Sequence, residues 1–177
     1  MNNNSPAILV DATVFMGMHA VDPVIRQQST DLMSRYFHSS LAMSYEQVGL
    51  CDDYVWRFSR AVQDKYYPFM DCLHTEMEIQ RIPYNIDDLM LATSHKEIVD
   101  SGLNCMQALL VAQVLRYDGI LYTHHSEIIK LDWFSSYLGS FDTDARSGSE
   151  SAVMFTDELD YLYQQSSCLQ VEELGLF

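Results

Sequence analysis

A short apolar run near the amino terminus places the strongest constraint on the fold. Residues Ala7 to Val10 are continuously apolar, and the run ends at Asp11. Four residues are too few for a helix, and an apolar run without polar alternation is typical of a strand that is buried on both faces of a parallel sheet. Two further runs of this kind lie at residues 41–43 and 120–123. The pattern predicts a parallel sheet that is covered on both faces.

Helices are predicted between these strands. Ser44 and Gln47 have the spacing of a capping box, so we expect a helix to begin there, and its apolar spacing continues to about Tyr66. The clearest helix covers residues 103–117, because it is apolar on nearly every side. This alternation predicts the α/β class, as a three-layer α/β/α sandwich with a mostly parallel central sheet.

The domain organisation follows from length and local composition. The chain has 177 residues and contains no internal repeat and no long linker, so we expect a single domain over residues 1–177. From about residue 139 to 151 the composition changes to Gly, Ser, Asp and Thr, which indicates a flexible loop.

The net charge of the chain disfavours direct binding to nucleic acids. It has 10 Lys and Arg against 25 Asp and Glu, a formal net charge of −15. Such a surface repels phosphate backbones, so a nucleic-acid partner would need metal ions, a local basic patch or a second protein. The four cysteines lack zinc-finger spacing. The sequence shows neither a signal peptide nor an apolar run of the ~20 residues that span a bilayer, so we expect a cytoplasmic protein with no membrane partner.

Polar side chains follow the predicted strands. Asp11 ends the first strand, Glu46 lies just past the second, and His125 and Glu127 follow the third apolar run. Gln107 lies on an otherwise apolar face of the 103–117 helix. Ligands of open α/β sheets bind outside the carboxyl ends of the strands, and a group of Asp, Glu and His has the chemistry of a divalent-metal site. We therefore expect these residues to share one edge of the sheet.

Each of these residues also has a simpler structural interpretation. Asp11 could cap a helix, and Glu46 near a helix amino terminus is favoured by the helix dipole. Gln107 could be a hydrogen-bonded buried amide, and His125 could be structural. Only their convergence on one edge favours a functional site.

Four segments together resemble the motifs of PIN-domain proteins. They are VDATVF (10–15), SYEQV (44–48), LNCMQALLVA (103–112) and LYTHHSE (121–127), in the order that the family has them. The resemblance covers residues 7–134 and implies Mg²⁺- or Mn²⁺-dependent cleavage of RNA, in which clustered carboxylates hold the metal and position the water. It also implies a longer helical insertion at about residues 52–100, since a minimal PIN domain is shorter there.

The chain departs from that family at two acidic positions. Asp11 and Glu46 match the first two, whereas the third falls on Gln107 and the fourth on His125; Glu127 keeps an acid at the last place. The resemblance therefore implies Asp11, Glu46 and His125 as metal ligands, with Gln107 and Glu127 orienting water. Fewer carboxylates weaken a site for Mg²⁺, and an imidazole favours Mn²⁺, Fe²⁺ or Zn²⁺.

Three functions are compatible with the sequence. The first is a divergent PIN-like metal-dependent hydrolase, a candidate ribonuclease or phosphodiesterase, and its candidate catalytic residues are Asp11, Glu46, Gln107, His125 and Glu127. The second is a catalytically inactive PIN-like subunit or regulator that binds a protein partner or a second copy of itself. The third is a PIN-like scaffold whose His-containing metal site acts on a small metabolite.

Overall fold

The central element of the fold is a parallel sheet. The structure is a computed structural model, and it describes residues 6–141 and 155–174. Within these ranges the strands are β1 (Ile8–Val10), β2 (Leu41–Ser44), β3 (Ile79–Ile82) and β4 (Ile120–Tyr122). Every pair is parallel, and the spatial order is β3-β2-β1-β4. The predicted α/β class with a parallel sheet is confirmed.

Helices fill the connections between the strands. They are α1 (Ala12–Gly17), α2 (Pro23–Arg35), α3 (Tyr45–Val55), α4 (Arg60–Glu76), α5 (Ile86–Ser94), α6 (Lys96–Asp100), α7 (Cys105–Tyr117), α8 (Ser126–Ile129) and α9 (Asp157–Ser166), with a 3₁₀ helix at Asp132–Tyr137. In the described part of the chain, no helix has both the length and the apolar character needed to cross a membrane.

The sheet divides its side chains between two hydrophobic cores. Leu9 and Leu121 pack with buried residues of α6, α7, α8 and the 3₁₀ helix. Val10 and Tyr122 pack with α1 to α4 and α9. Successive strand side chains point to opposite faces, so a strand between two cores must be apolar at every position. This is why the runs at 7–10 and 120–123 lack polar alternation, and it is the arrangement of a three-layer sandwich.

The predicted helix from Ser44 to Tyr66 is wrong in its extent. The chain leaves the helix after Val55, and Ser59 takes extended backbone angles (φ −61°, ψ 154°) before α4 begins. The apolar spacing continues across this break because α3 and α4 bury residues in the same core. The apolar periodicity therefore indicates which residues are buried together, but it does not show the turn that separates α3 from α4.

Residues 52–100 are not helical throughout. They contain the end of α3, then α4, α5 and α6, but also β3, which pairs with β2 over four residues and forms one edge of the sheet. Helices therefore occur in this range as predicted, the strand was not anticipated, and the status of the segment as an insertion stays a prediction. Of the loop predicted at residues 139–151, all but residues 139–141 lie outside the described ranges.

Candidate functional site

The parallel pairing places several polar residues at one edge of the sheet. β1 lies between β2 and β4, with Leu9 opposite Ala42 and Val10 opposite Tyr122. The residues that follow these strands therefore come to the same edge. They are Asp11 after β1, Ser44 to Gln47 after β2, and Thr123 to His125 after β4. Gln107 is in the first turn of α7, which runs back along the sheet to enter β4 at its amino end.

Asp11 uses its two carboxylate oxygens differently. The residue is fully buried and caps α1: its Oδ1 accepts from the Thr13 backbone N–H at 3.0 Å, the Val14 N–H at 3.2 Å and the Thr13 hydroxyl at 2.5 Å. Its Oδ2 is buried with no hydrogen-bond partner among the described residues. A buried carboxylate oxygen without a hydrogen-bond partner is destabilising, and a bound cation is one kind of partner that would offset this cost.

Glu46 presents a second oxygen of this kind. It lies in the first turn of α3, and its Oε2 is buried with no hydrogen-bond partner in the described part of the chain. The next residue, Gln47, fixes this turn against α1, because its Oε1 accepts from the Ala12 N–H at 2.9 Å. The Gln47 side chain thus bonds to α1 instead of completing the capping box with Ser44, whose Oγ accepts from the Gln47 N–H at 3.2 Å. Gln47 holds the starts of α1 and α3 together.

Thr13 and His124 connect β4 to the Asp11 carboxylate. The Thr13 hydroxyl donates to Asp11 Oδ1 and accepts from the His124 backbone N–H at 2.8 Å. The His124 ring lies parallel to Phe141 with centroids 4.4 Å apart, and its Nε2 is 2.9 Å from Ser29 Oγ. Burial lowers the pKa of His124, against a smaller opposing effect of the Asp11 charge. Sequence reasoning did not single out Thr13 or assign a role to His124, because the bonds that define them join distant parts of the chain.

His125 lies at the predicted edge but does not complete a ligand set. It is buried, and its backbone N–H donates to Thr123 Oγ1 at 2.9 Å before α8 begins. Over residues 6–141 and 155–174, no three His, Cys, Asp or Glu side chains gather so that they could hold a metal ion. Asp11, Glu46 and His125 are therefore not brought together as three ligands, and the role of His125 stays a prediction.

Gln107 and Glu127 are engaged locally. The side-chain oxygen of Gln107 accepts from the Asn104 N–H at 3.1 Å, and that of Asn104 accepts from the Gln107 N–H at 3.0 Å, which is a capping box for α7. Glu127 is exposed, and its bond with Lys130, followed by that with Ser126, lowers its pKa. The side-chain oxygen of Gln107 therefore has a structural role, which is to cap the start of α7.

Tyr84 extends the edge beyond β2. It follows β3, and burial raises the pKa of its phenol to about 12, with the charge of Glu46 acting in the same direction. The phenol is therefore protonated at neutral pH and close enough to Glu46 to experience its charge. The edge thus combines two acceptor carboxylates with a neutral hydroxyl group.

Comparison with known proteins identifies the family. Residues 1–176 match a family that is described as a family of unknown function (DUF6190). The chain belongs to this family. No curated protein and no solved structure matches the chain.

Proposed function

We propose that this protein is a PIN-like metal-dependent hydrolase, with Asp11 and Glu46 as the ligands of a divalent cation and RNA phosphodiesters as the candidate substrate. The observation that carries the proposal is the pair of buried oxygens, Asp11 Oδ2 and Glu46 Oε2, that have no partner among the described residues. Asp11 caps α1 and Glu46 lies in the first turn of α3, and Gln47 joins the starts of these two helices. Carboxylate oxygens are the preferred ligands of Mg²⁺ and also suit Mn²⁺, so this donor set fits such an ion.

Three features of the chain orient the two carboxylates or supply a hydrogen-bond donor beside them. The bonds from the first turn of α1 fix Asp11 Oδ1 and so orient Oδ2. Gln47 fixes the turn that carries Glu46. The protonated Tyr84 phenol offers a donor for an anionic substrate oxygen. A divalent cation, when bound, lowers the pKa of its water and neutralises charge on a phosphate.

The choice of metal depends on His125. Two carboxylates, with waters and substrate phosphates as the other ligands, are the usual way in which proteins hold Mg²⁺. The preference for Mn²⁺, Fe²⁺ or Zn²⁺ over Mg²⁺ requires a nitrogen ligand, and it stays a prediction that rests on His125.

Calorimetric titration with Mn²⁺ and Mg²⁺ tests the proposal. Asp11→Asn keeps a good capping residue but removes the charge, and Glu46→Gln removes the charge of the second ligand. We expect each variant to lose at least about tenfold in affinity, since charged ligands are replaced by neutral ones. Asp64→Asn, which removes an exposed carboxylate on α4, is the matched control and should bind as the wild type does.

Single-turnover cleavage of RNA in excess Mn²⁺ tests the chemistry separately from weak substrate binding. We expect slow cleavage by the wild type and none by Asp11→Asn. Gln107→Asp combined with His125→Asp, which restores the carboxylates of the resembling family, should raise the rate. Metal binding that is equal in wild type and Asp11→Asn, or cleavage that persists in Asp11→Asn, would contradict the proposal.

A second candidate function, a partner-binding subunit, is favoured by one surface. Four large apolar residues lie exposed on α5 and α6, and we name them the α5–α6 patch: Ile86 (66% exposed), Leu89 (47%), Met90 (59%) and Val99 (56%). Single exposed apolar residues are ordinary, but a group of them on consecutive helices is typical of an interaction surface. The net charge of −15 favours a basic partner over a second copy of this chain.

Sedimentation at low and high salt tests whether the α5–α6 patch joins two copies. If it does, dimers should form only when salt screens the mutual repulsion, and Leu89→Lys should abolish them. Val24→Lys, at an exposed apolar residue of α2, is the control. A wild-type protein that is monomeric at every salt concentration would exclude self-association through this surface.

A further inference from the structure

A cavity of about 360 Å³ lies between α9 and the connection from α1 to α2. It is at the opposite end of α1 from Asp11, so it is separate from the strand edge. The carboxyl-terminal segment helps to close it, because the Val171 N–H donates to His19 O at 3.0 Å and the Val21 N–H donates to Val171 O at 2.9 Å. Its volume is within the range of pockets that hold small molecules.

His19 contributes an unused hydrogen-bond acceptor to this region. The residue lines the cavity and is almost wholly buried, and three aromatic rings surround it (Tyr66, Phe69 and Tyr163). Burial lowers the pKa of His19 to about 3, so the ring is neutral at pH 7.

The neighbouring bonds determine the tautomer of that ring. Ser166 Oγ lies 2.8 Å from Tyr163 O, to which it donates, and 2.7 Å from His19 Nε2; this arrangement favours the tautomer in which Nε2 carries the hydrogen and donates to Ser166 Oγ. In that tautomer His19 Nδ1 carries a lone pair, and this atom is buried with no hydrogen-bond partner among the described residues. A buried acceptor of this kind needs a donor.

The charge of the residues that line the cavity indicates a second property of the ligand, which is a negative charge. Among the described residues that line the cavity, Arg26 is the one charged side chain, although the chain as a whole has 25 acidic residues. Its Nη1 donates to Ala20 O at 2.9 Å, and no ion pair of the described residues includes it. A guanidinium has five N–H donors, so most of them are left for a carboxylate. Met18, Val21 and Leu169 supply apolar surface beside it.

We propose that this cavity is a binding site for a small hydroxy acid. The carboxylate pairs with Arg26, the hydroxyl group donates to His19 Nδ1, and the apolar body packs on Met18, Val21 and Leu169. This site is independent of the proposed hydrolase activity, since none of its residues belongs to the strand edge.

Titration with the three hydroxybenzoate isomers tests the site, because their hydroxyl groups lie at different distances from the carboxylate. We expect one isomer to bind, and benzoate and phenol, which each lack one group, to bind at least about tenfold more weakly. Arg26→Gln should cause a similar loss. Arg35→Gln, which removes an exposed cation from the same helix, should bind as the wild type does, and so should Asp11→Asn.

Nitrogen-15 NMR of the histidine side chains reports on His19 directly. The free protein should show an unprotonated Nδ1 and a protonated Nε2, and the Nδ1 signal should move on saturation with the bound isomer. Ser167→Phe, which places a large side chain at the lining of the cavity and leaves His19 and Arg26 unchanged, should abolish binding and this movement. A protonated Nδ1, a signal that does not move, equal binding of benzoate, or no binding of any isomer would overturn the proposal and leave a cavity that holds water only.

Discussion

At the scale of single residues, the buried pair of Asp88 and Arg116 shows how this acidic chain keeps a charge in its interior. Asp88 is fully buried; its Oδ1 accepts from Arg116 Nε at 2.6 Å, and its Oδ2 accepts from Arg116 Nη2 at 3.1 Å and from the Asn85 N–H at 2.8 Å. The pair joins α5 to α7, and the Asp88 bond raises the pKa of Arg116. Both carboxylate oxygens of Asp88 accept hydrogen bonds, whereas only one of the two oxygens of Asp11 does so among the described residues.

Asp88→Asn should therefore destabilise the fold by about 3–5 kcal/mol, because it leaves a partly buried guanidinium without its counter-charge. The measurement is urea unfolding. Asp53→Asn is the matched control: Asp53 also pairs with an arginine, Arg57, but both side chains are more than half exposed, so the expected loss is about 0–1 kcal/mol. Equal losses in the two variants would contradict the assignment.

The residue scale is also where sequence reasoning about the site succeeded least. The positions of Asp11 and Glu46 could be predicted because each follows a strand in the sequence. The sequence could not predict that Asp11 caps α1 with one carboxylate oxygen and leaves the other without a hydrogen-bond partner. This depends on which of the two oxygens the α1 backbone amides contact. The engagement of Gln107 depends on Asn104, three residues earlier, and a capping box could have been noticed there.

At the scale of elements, Gln47 decides how α3 is placed against α1. Its Oε1 accepts the Ala12 N–H in a fully buried position. Gln47→Met keeps the volume of the side chain but leaves that N–H unpaired, which should cost about 1–3 kcal/mol. Gln27→Met, at an exposed position of α2, is the control and should change the unfolding free energy by less than about 0.5 kcal/mol.

The Gln47→Met variant also tests the site. Because Glu46 precedes Gln47 in the same turn, we expect Mn²⁺ affinity to fall together with stability. A variant that loses stability but binds Mn²⁺ as the wild type does would show that Gln47 supports the fold alone.

The elements that sequence reasoning missed had local signals of a different kind. Asp22 followed by Pro23 begins α2: its Oδ1 accepts from the Val24 N–H at 2.8 Å, and proline is favoured at the first helical position. Hydrophobic periodicity does not find this helix, because its buried residues are few (Ser29, Leu32 and Met33). A strand that is buried on both faces forms a continuous apolar run, which can be recognised in the sequence. The edge strand β3 is only half-buried and contains polar residues, so it has no such run.

At the scale of the whole molecule, the buried histidines predict a loss of stability in mild acid. The pKa of His19 falls from its ordinary 6.5 to about 3 on folding. Between these values the unfolded chain binds more protons than the folded one, so this stabilisation is full above pH 6.5 and is lost as the pH falls below it. Burial lowers the pKa values of His74 and His124 as well, so they act in the same direction.

Urea unfolding of the wild type and of His19→Gln at pH 7 and pH 5 isolates this contribution. The variant has no group to protonate at this position, so the difference in unfolding free energy between the two proteins should shrink by about 2 kcal/mol from pH 7 to pH 5. Contributions from the other histidines and from the acidic surface are common to both proteins and cancel. A difference that stays constant with pH would show that His19 is not buried in its neutral form.

We propose that the acidic edge of this molecule binds a divalent cation. Crystals grown with Mn²⁺ and measured near the manganese absorption edge test it most directly, because anomalous scattering locates the ion without reference to activity. We expect an anomalous peak within about 2.5 Å of both Asp11 Oδ2 and Glu46 Oε2, and no such peak in crystals of Asp11→Asn. Saturating Mn²⁺ with no peak at this pair of oxygens, or a peak held by other residues, would contradict it.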